Sequence, residues 1–252
     1  MNSALIRFYE ELTDFLPASK RKISYPLYFR DHPNVKHLLE AEGVPHAEVD
    51  LILVNGKPVS FDEKILNGDR ISVYPVFESF DISPVQVLRL RPLRESRFVL
   101  DVHLGRLARY LRMMGFDSLY ENNYSDDDLV RISNFEKRAI LTRDIRLLMR
   151  KEVLRGYWLR SQRINDQVSE VICRFDLRNA IHSFSRCTVC NGIIHPVGEE
   201  TVKLKFPGYL FSPGTAFFIC TNCDHIYWKG SHCMRFETLL RKLVISQPGP
   251  SV

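Results

Sequence analysis

All six cysteines of the chain lie after residue 170, and four of them form two C-x-x-C pairs, Cys187 with Cys190 and Cys220 with Cys223, 29 residues apart. Secreted disulfide scaffolds distribute their cysteines through a shorter chain. Two C-x-x-C pairs on tight turns instead bring four thiolates into a tetrahedron that suits Zn²⁺. The gap between the pairs is longer than usual and has room for a hairpin such as 200–219. A thioredoxin-like redox site needs one C-x-x-C opening a helix, whereas these pairs run into Asn191-Gly192 and Asp224-His225, which read as turns. Structural zinc is therefore expected, and it is the staple a small module requires, being worth ~10–16 kcal/mol of apparent free energy in zinc-finger peptides. Cys173 falls in an apolar helical stretch and is expected in the core; Cys233 reads as a spare thiol.

The N-terminal third has a different grammar. Strands are expected over 4–9 and 23–29, the second with Pro26 at an edge or bulge. Pro33-Asn34 opens a helix whose Val35, Leu38 and Leu39 share one face and which Gly43 stops. A strand over 49–54 runs into the hairpin signal Asn55-Gly56, and a last strand covers 69–74. The order β-β-α-β-turn-β predicts a small α+β domain with one helix on a mixed sheet. The stretch Val-Asp-Leu-Ile-Leu-Val-Asn-Gly-Lys-Pro-Val, followed by Asn-Gly-Asp-Arg-Ile-Ser-Val-Tyr-Pro, resembles the ubiquitin-like β-grasp fold, and within it the sulfur carriers. Sulfur carriers end in a free Gly-Gly tail. This segment continues through Pro75-Val76-Phe77-Glu78, so carrier chemistry is not expected, and fold likeness alone transfers no function.

Residues 81–97, rich in proline and arginine, read as a linker. From residue 98 strands and helices alternate: strand 98–100 and helix 103–114, strand 118–120 and helix 126–136, strand 139–141 and helix 145–152, strand 157–159 and helix 165–174. Four βα units predict a parallel sheet covered by helices. Short aromatic strands over 217–219 and 226–228 belong to the cysteine module.

Charge follows this division. Residues 1–80 hold nine basic and twelve acidic side chains, whereas 84–163 hold seventeen basic and ten acidic, within a chain of net charge +5. A basic excess confined to one part points to a polyanionic partner. The composition, 45% hydrophobic and 26% charged, excludes wholesale disorder. No apolar run is long enough to span a bilayer and no secretory signal is visible, so a cytoplasmic protein is expected.

Asp101, Asp126 and Asp144 each stand just after an expected strand, where a helix begins. In an open parallel sheet the ligand crevice lies beyond the carboxyl ends of the strands. Carboxylates gathered there repel one another unless a hard cation such as Mg²⁺ or Mn²⁺ binds them, and such a cation can activate water against a phosphodiester. Each aspartate also has a plain alternative role as a helix N-cap, worth ~0.5–2 kcal/mol. On the first helix, Leu104, Leu107, Ala108 and Leu111 form an apolar stripe and Arg106, Arg109 and Arg112 a basic row suited to a phosphate backbone.

The segments Phe-Val-Leu-Asp-Val-His-Leu-Gly-Arg-Leu-Ala-Arg-Tyr-Leu-Arg-Met-Met-Gly-Phe-Asp (98–117) and Ala-Ile-Leu-Thr-Arg-Asp-Ile-Arg-Leu-Leu (139–148) resemble the mut-seven C-terminal RNase family, a PIN-like nuclease domain fused to a zinc ribbon. With the β-grasp segment in front, the resemblance covers about residues 4–236. It implies an RNA-cleaving enzyme with Asp101 and Asp144 in a Mg²⁺ or Mn²⁺ site. Asp126 is the second acid it implies, Asp127 and Asp128 remain alternatives, and Asp166 is the candidate for a fourth. Arg106, Arg109 and Arg143 would position phosphate. The segment Tyr227-Trp228-Lys229-Gly230-Ser231-His232 resembles the family's closing motif and places Lys229 and His232 as RNA contacts. The expected organisation is a β-grasp domain (1–80), linker (81–97), PIN-like domain (98–180), zinc ribbon (181–240) and tail (241–252). The competing readings are a non-catalytic RNA-binding adaptor and a β-grasp module that docks a protein partner.

Overall fold

The computed structural model describes residues 1–76, 88, 96–207 and 214–228. The chain divides into two compact units, Met1–Glu95 with Ser125–Trp158, and Ser96–Tyr124 with Leu159–Val252.

The first unit opens with a five-stranded sheet of β1 (Asn2–Phe8), β2 (Tyr25–Phe29), β3 (Val49–Val54), β4 (Lys57–Pro58) and β5 (Arg70–Pro75), in the order β2-β1-β5-β3-β4. β1 and β5 run parallel at its centre and the other pairs are antiparallel. This is the ubiquitin-like arrangement. Alternate residues of β1, β2 and β5 are buried, as a sheet with one covered face requires. The cover is α1 (Val35–Ala41), whose Val35, Leu38 and Leu39 face inward. Asn34 caps it by accepting the His37 N–H at 2.9 Å, and Gly43 ends it at φ +87°, a left-handed conformation that side chains disfavour. Asn55 and Gly56 both have positive φ and join β3 to β4 through a two-residue turn whose twist matches the strands. Phe8, Ile6, Leu39, Ile52 and Ile71 are among its most deeply buried side chains.

The α/β part contributes β6 (Arg97–Leu100) and β7 (Asp117–Leu119), a parallel pair in the second unit, and β8 (Ala139–Thr142) and β9 (Gly156–Trp158), a parallel pair in the first. Its helices are α2 (Gly105–Met113), α3 (Asp126–Glu136), α4 (Ile145–Leu148) and α5 (Ile164–Arg174). Within the first unit the ubiquitin-like domain meets β9. Wholly buried Glu48 accepts the backbone N–H of Trp158, and the Phe15 and Trp158 rings lie 5.1 Å apart. An edge strand's open donor is thereby satisfied from within the chain.

Three local expectations change. α4 stops at Leu148 rather than 152, because Met149 and Arg150 turn back onto the carbonyls of Ile145, Arg146 and Leu147. Cys173 is exposed rather than in the core: α5 buries Val168, Val171 and Ile172, and the next residue points away from that stripe. The expected hairpin over 200–219 is replaced by β10 (Ile194–Val197) followed by α6 (Glu199–Lys205). Glu199 and Glu200 in the first turn of α6, and Lys203 and Lys205 in its last, suit the helix dipole. β10 pairs antiparallel with β11 (Phe217–Cys220), which pairs antiparallel with β12 (Ile226–Trp228). The linker is almost wholly outside the described residues, and the tail, Lys229, His232 and Cys233 are outside them. Among the described residues no helix is long and apolar enough to cross a membrane.

Candidate functional site

The four paired cysteines converge. Two equivalent knuckles carry them: Asn191 N–H donates to the Cys187 carbonyl and Asp224 N–H to the Cys220 carbonyl, each at 3.0 Å. Asn191 and Asp224 both take a left-handed backbone, at φ +66° and +59°. Gly192 must be small, because a Cβ there would meet Cys220 Sγ at 3.0 Å. All four sulfurs lie within 4.8 Å of one another, with Cys187–Cys223 at 3.6 Å and Cys190–Cys220 at 3.4 Å. Tetrahedral zinc–thiolate bonds of about 2.3 Å place sulfurs about 3.8 Å apart, so the donor set fits zinc in both chemistry and spacing.

Tyr227 supports this cluster. Its hydroxyl accepts the Thr188 N–H at 2.9 Å, which turns its own hydrogen toward Cys187 Sγ at 3.0 Å. Burial pushes the Cys187 thiol up, but hydrogen bonds from Tyr227 and from the Cys190 and Val189 amides outweigh it and bring it to about 7. Burial foremost pushes Cys223 up to about 12. Crowded thiolates resist a common negative charge, and a divalent cation removes that conflict.

A cleft of about 600 Å³ lies beside this knuckle in the same unit. Its lining includes His103, Arg106, Arg109, Tyr120, Thr188 and Val189. Arg106 and Arg109 are exposed and, among the described residues, have no hydrogen-bond or ion-pair partner. Arg112 departs from the expected basic row. It is buried, donating from Nε to the Ser118 carbonyl at 2.8 Å and from one terminal nitrogen to the Thr188 and Val189 carbonyls at 3.2 and 2.8 Å. Burial holds its guanidinium below the usual arginine range. Thr188, Val189 and Tyr120 were not legible as lining residues, because the spacing that unites them is spatial and spans some seventy residues of chain.

The acids occupy distinct settings. Asp101, with Arg106, Arg109 and the cysteines, lies in the second unit; Asp126, Arg143 and Asp144 lie in the first. Asp101 follows β6, is buried, and makes no side-chain cap hydrogen bond to the turn it opens. Asp144 follows β8, is exposed, and caps α4 by accepting the Arg146 N–H at 2.8 Å, while its own N–H donates to Thr142 Oγ1 at 2.9 Å. Arg143 beside it is exposed. Of the three consecutive acids, Asp128 forms a capping box with Ser125 and pairs with Arg131, and Asp127 pairs with Arg150 at 2.6 Å. The Asp126 side chain is exposed, makes no hydrogen bond or ion pair among the described residues, and interacts with Arg150 through charge alone. Asp166 is exposed in the first turn of α5.

The fold and this site define a ubiquitin-like domain joined to a parallel-sheet α/β domain, with a four-cysteine cluster that can hold a metal such as zinc. The Mut7-C RNAse domain matches residues 96–240 and the Mut7-C ubiquitin domain matches residues 1–81, so the chain belongs to the Mut7-C family. No curated protein and no solved structure matches the chain.

Proposed function

We propose that this protein is a cytoplasmic, metal-dependent ribonuclease whose four cysteines hold a structural zinc ion. The observation that carries the reading is the match of residues 96–240 to an RNAse domain. The acids add support. Asp101 is buried at the end of β6, the Asp126 side chain makes no hydrogen bond or ion pair among the described residues, and Asp144 accepts the Arg146 N–H through one of its oxygens. A set of carboxylates suits Mg²⁺ or Mn²⁺, which when bound supplies activated water and stabilises charge on the phosphodiester.

Asp101, Asp126 and Asp144 would hold that ion. Arg106, Arg109 and Arg143 would bind and orient the phosphate backbone, with Lys229 and His232 as further RNA contacts. Asp126 is preferred over its neighbours because Asp127 and Asp128 are already engaged. The test is cleavage of labelled single-stranded RNA in Mn²⁺ or Mg²⁺ by the full chain. Asp126→Asn is expected to lower the rate about 100-fold or more, as loss of a metal ligand does, and Asp127→Asn to change it little. Loss in Asp127→Asn alone would reassign the acid.

One observation favours a second reading, a non-catalytic RNA-binding adaptor: the helix cap by itself accounts for an aspartate at position 144. That reading predicts RNA binding without metal-dependent turnover. A protein partner of the ubiquitin-like domain would have to use a face other than the one holding Trp158.

A further inference from the structure

The cleft beside α2 is more specific than a basic surface. Arg106 and Arg109, one turn apart, present adjacent guanidinium groups without protein partners among the described residues. Tyr120 is fixed as a lining group: its hydroxyl donates to the Val102 carbonyl at 2.9 Å, and its ring packs so closely on Gly105 that a Cβ there would meet it at 2.7 Å. The lining also includes the acid Glu121 and Thr188 and Val189 of the first cysteine knuckle, and Val189 is 58% exposed although large and apolar. Arg112 ties this wall to α2 through the Thr188 and Val189 carbonyls. The volume, about 600 Å³, falls within the ~300–1,000 Å³ typical of ligand sites.

We propose that this cleft seats a nucleotide unit of single-stranded RNA, with phosphate on Arg106 and Arg109 and the base between Tyr120 and the apolar wall of the zinc knuckle. The choice of polyanion rests on the ribonuclease reading. Cation pairs at a rim and an aromatic face within are the combination that holds single strands without reading sequence. The zinc module then serves as one wall of the RNA site as well as a folding staple.

The test uses the full, zinc-loaded chain and a fluorescein-labelled oligouridylate, without Mg²⁺ or Mn²⁺, and reads affinity by anisotropy across salt concentrations. The Arg106→Ala, Arg109→Ala double variant is expected to bind about tenfold or more weakly and to flatten the slope of log K against log salt by about 1.4, the release of two single-strand counterions. Val189→Asp, an exposed substitution that leaves the cysteines intact, is expected to weaken binding about tenfold at unchanged zinc content. Wild-type affinity in Val189→Asp with zinc retained, or an unchanged salt slope in the double variant, overturns the proposal, as does a wild-type chain that binds no oligouridylate. Cleavage with Mn²⁺, read in parallel, separates the two ideas. Variants that cleave and bind like wild type discard the cleft and leave the ribonuclease reading intact. Weakened variants of a chain that never cleaves keep the cleft and discard that reading.

Discussion

The ubiquitin-like domain and the cysteine module reach a fold by different means. The first has eighteen buried residues in one cluster, from Ala4 to Val73, supplied by the sheet, by α1 and by the connections that carry Leu12, Leu16, Val44 and Ile65. The described part of the second has two clusters of three buried residues each, and two of those six are Cys187 and Cys220. A buried aliphatic side chain contributes about 1.5–3 kcal/mol, so three-residue clusters cannot offset the ordering of two knuckles and three short strands. The cysteine cluster is thus part of the second region's described core, where a bound metal would add the stability that so few buried apolar residues do not supply.

The largest effect expected from this contrast comes from Cys220→Ser. Removing a ligand forfeits much of the ~10–16 kcal/mol of apparent metal-binding free energy and should unfold the module while the ubiquitin-like domain stays folded. Metal content and limited proteolysis read the outcome: cleavage confined to 185–228 supports the contrast, and a module that stays protease-resistant without metal breaks it. The converse is Leu39→Ala, which empties part of a fully buried site and should cost about 2–5 kcal/mol in denaturant melts at unchanged zinc content. Loss of zinc in that variant would show the two regions to be one cooperative unit. The smallest effect belongs to Asp128. Hydrogen bonds from Ser125 and then Arg131 hold its carboxyl below the usual carboxylate range, so the folded state favours the charged form. Its contribution is present above the unfolded value and is lost as pH falls through the lowered one, below about pH 4. Stability measured against pH should lose that acid-side slope in Asp128→Asn.

Local rules carried most of the fold. The start of α3 at Asp126 follows from Ser125 and the capping box, and the β3–β4 turn follows from Asn55-Gly56, because each is settled by neighbours in sequence. The cysteine cluster was legible for the same reason, since each knuckle is local and only their meeting is not. What periodicity could not show was direction. Arg112 continues a row with Arg106 and Arg109, yet it turns inward to carbonyls 76 and 77 residues away. Cys173 sits in an apolar stretch but one position off its buried stripe. Glu48, an acid in a strand-rich domain, carried no sign of a partner 110 residues downstream. The three aspartates were singled out only by their position after strands; the structure adds that Asp144 caps α4 and that the Asp126 side chain makes no hydrogen bond or ion pair among the described residues.

The measurement closest to the central claim compares the full chain with Asp144→Asn on labelled single-stranded RNA, each with Mn²⁺, with Mg²⁺ and without either, while zinc content and RNA affinity are held in view. Cleavage that requires the added metal and falls about 100-fold or more in Asp144→Asn, at unchanged zinc and RNA binding, is the predicted result. Asp144→Asn cleaving at the full rate, or a wild-type chain that binds RNA and never cleaves it in either metal, would contradict the account.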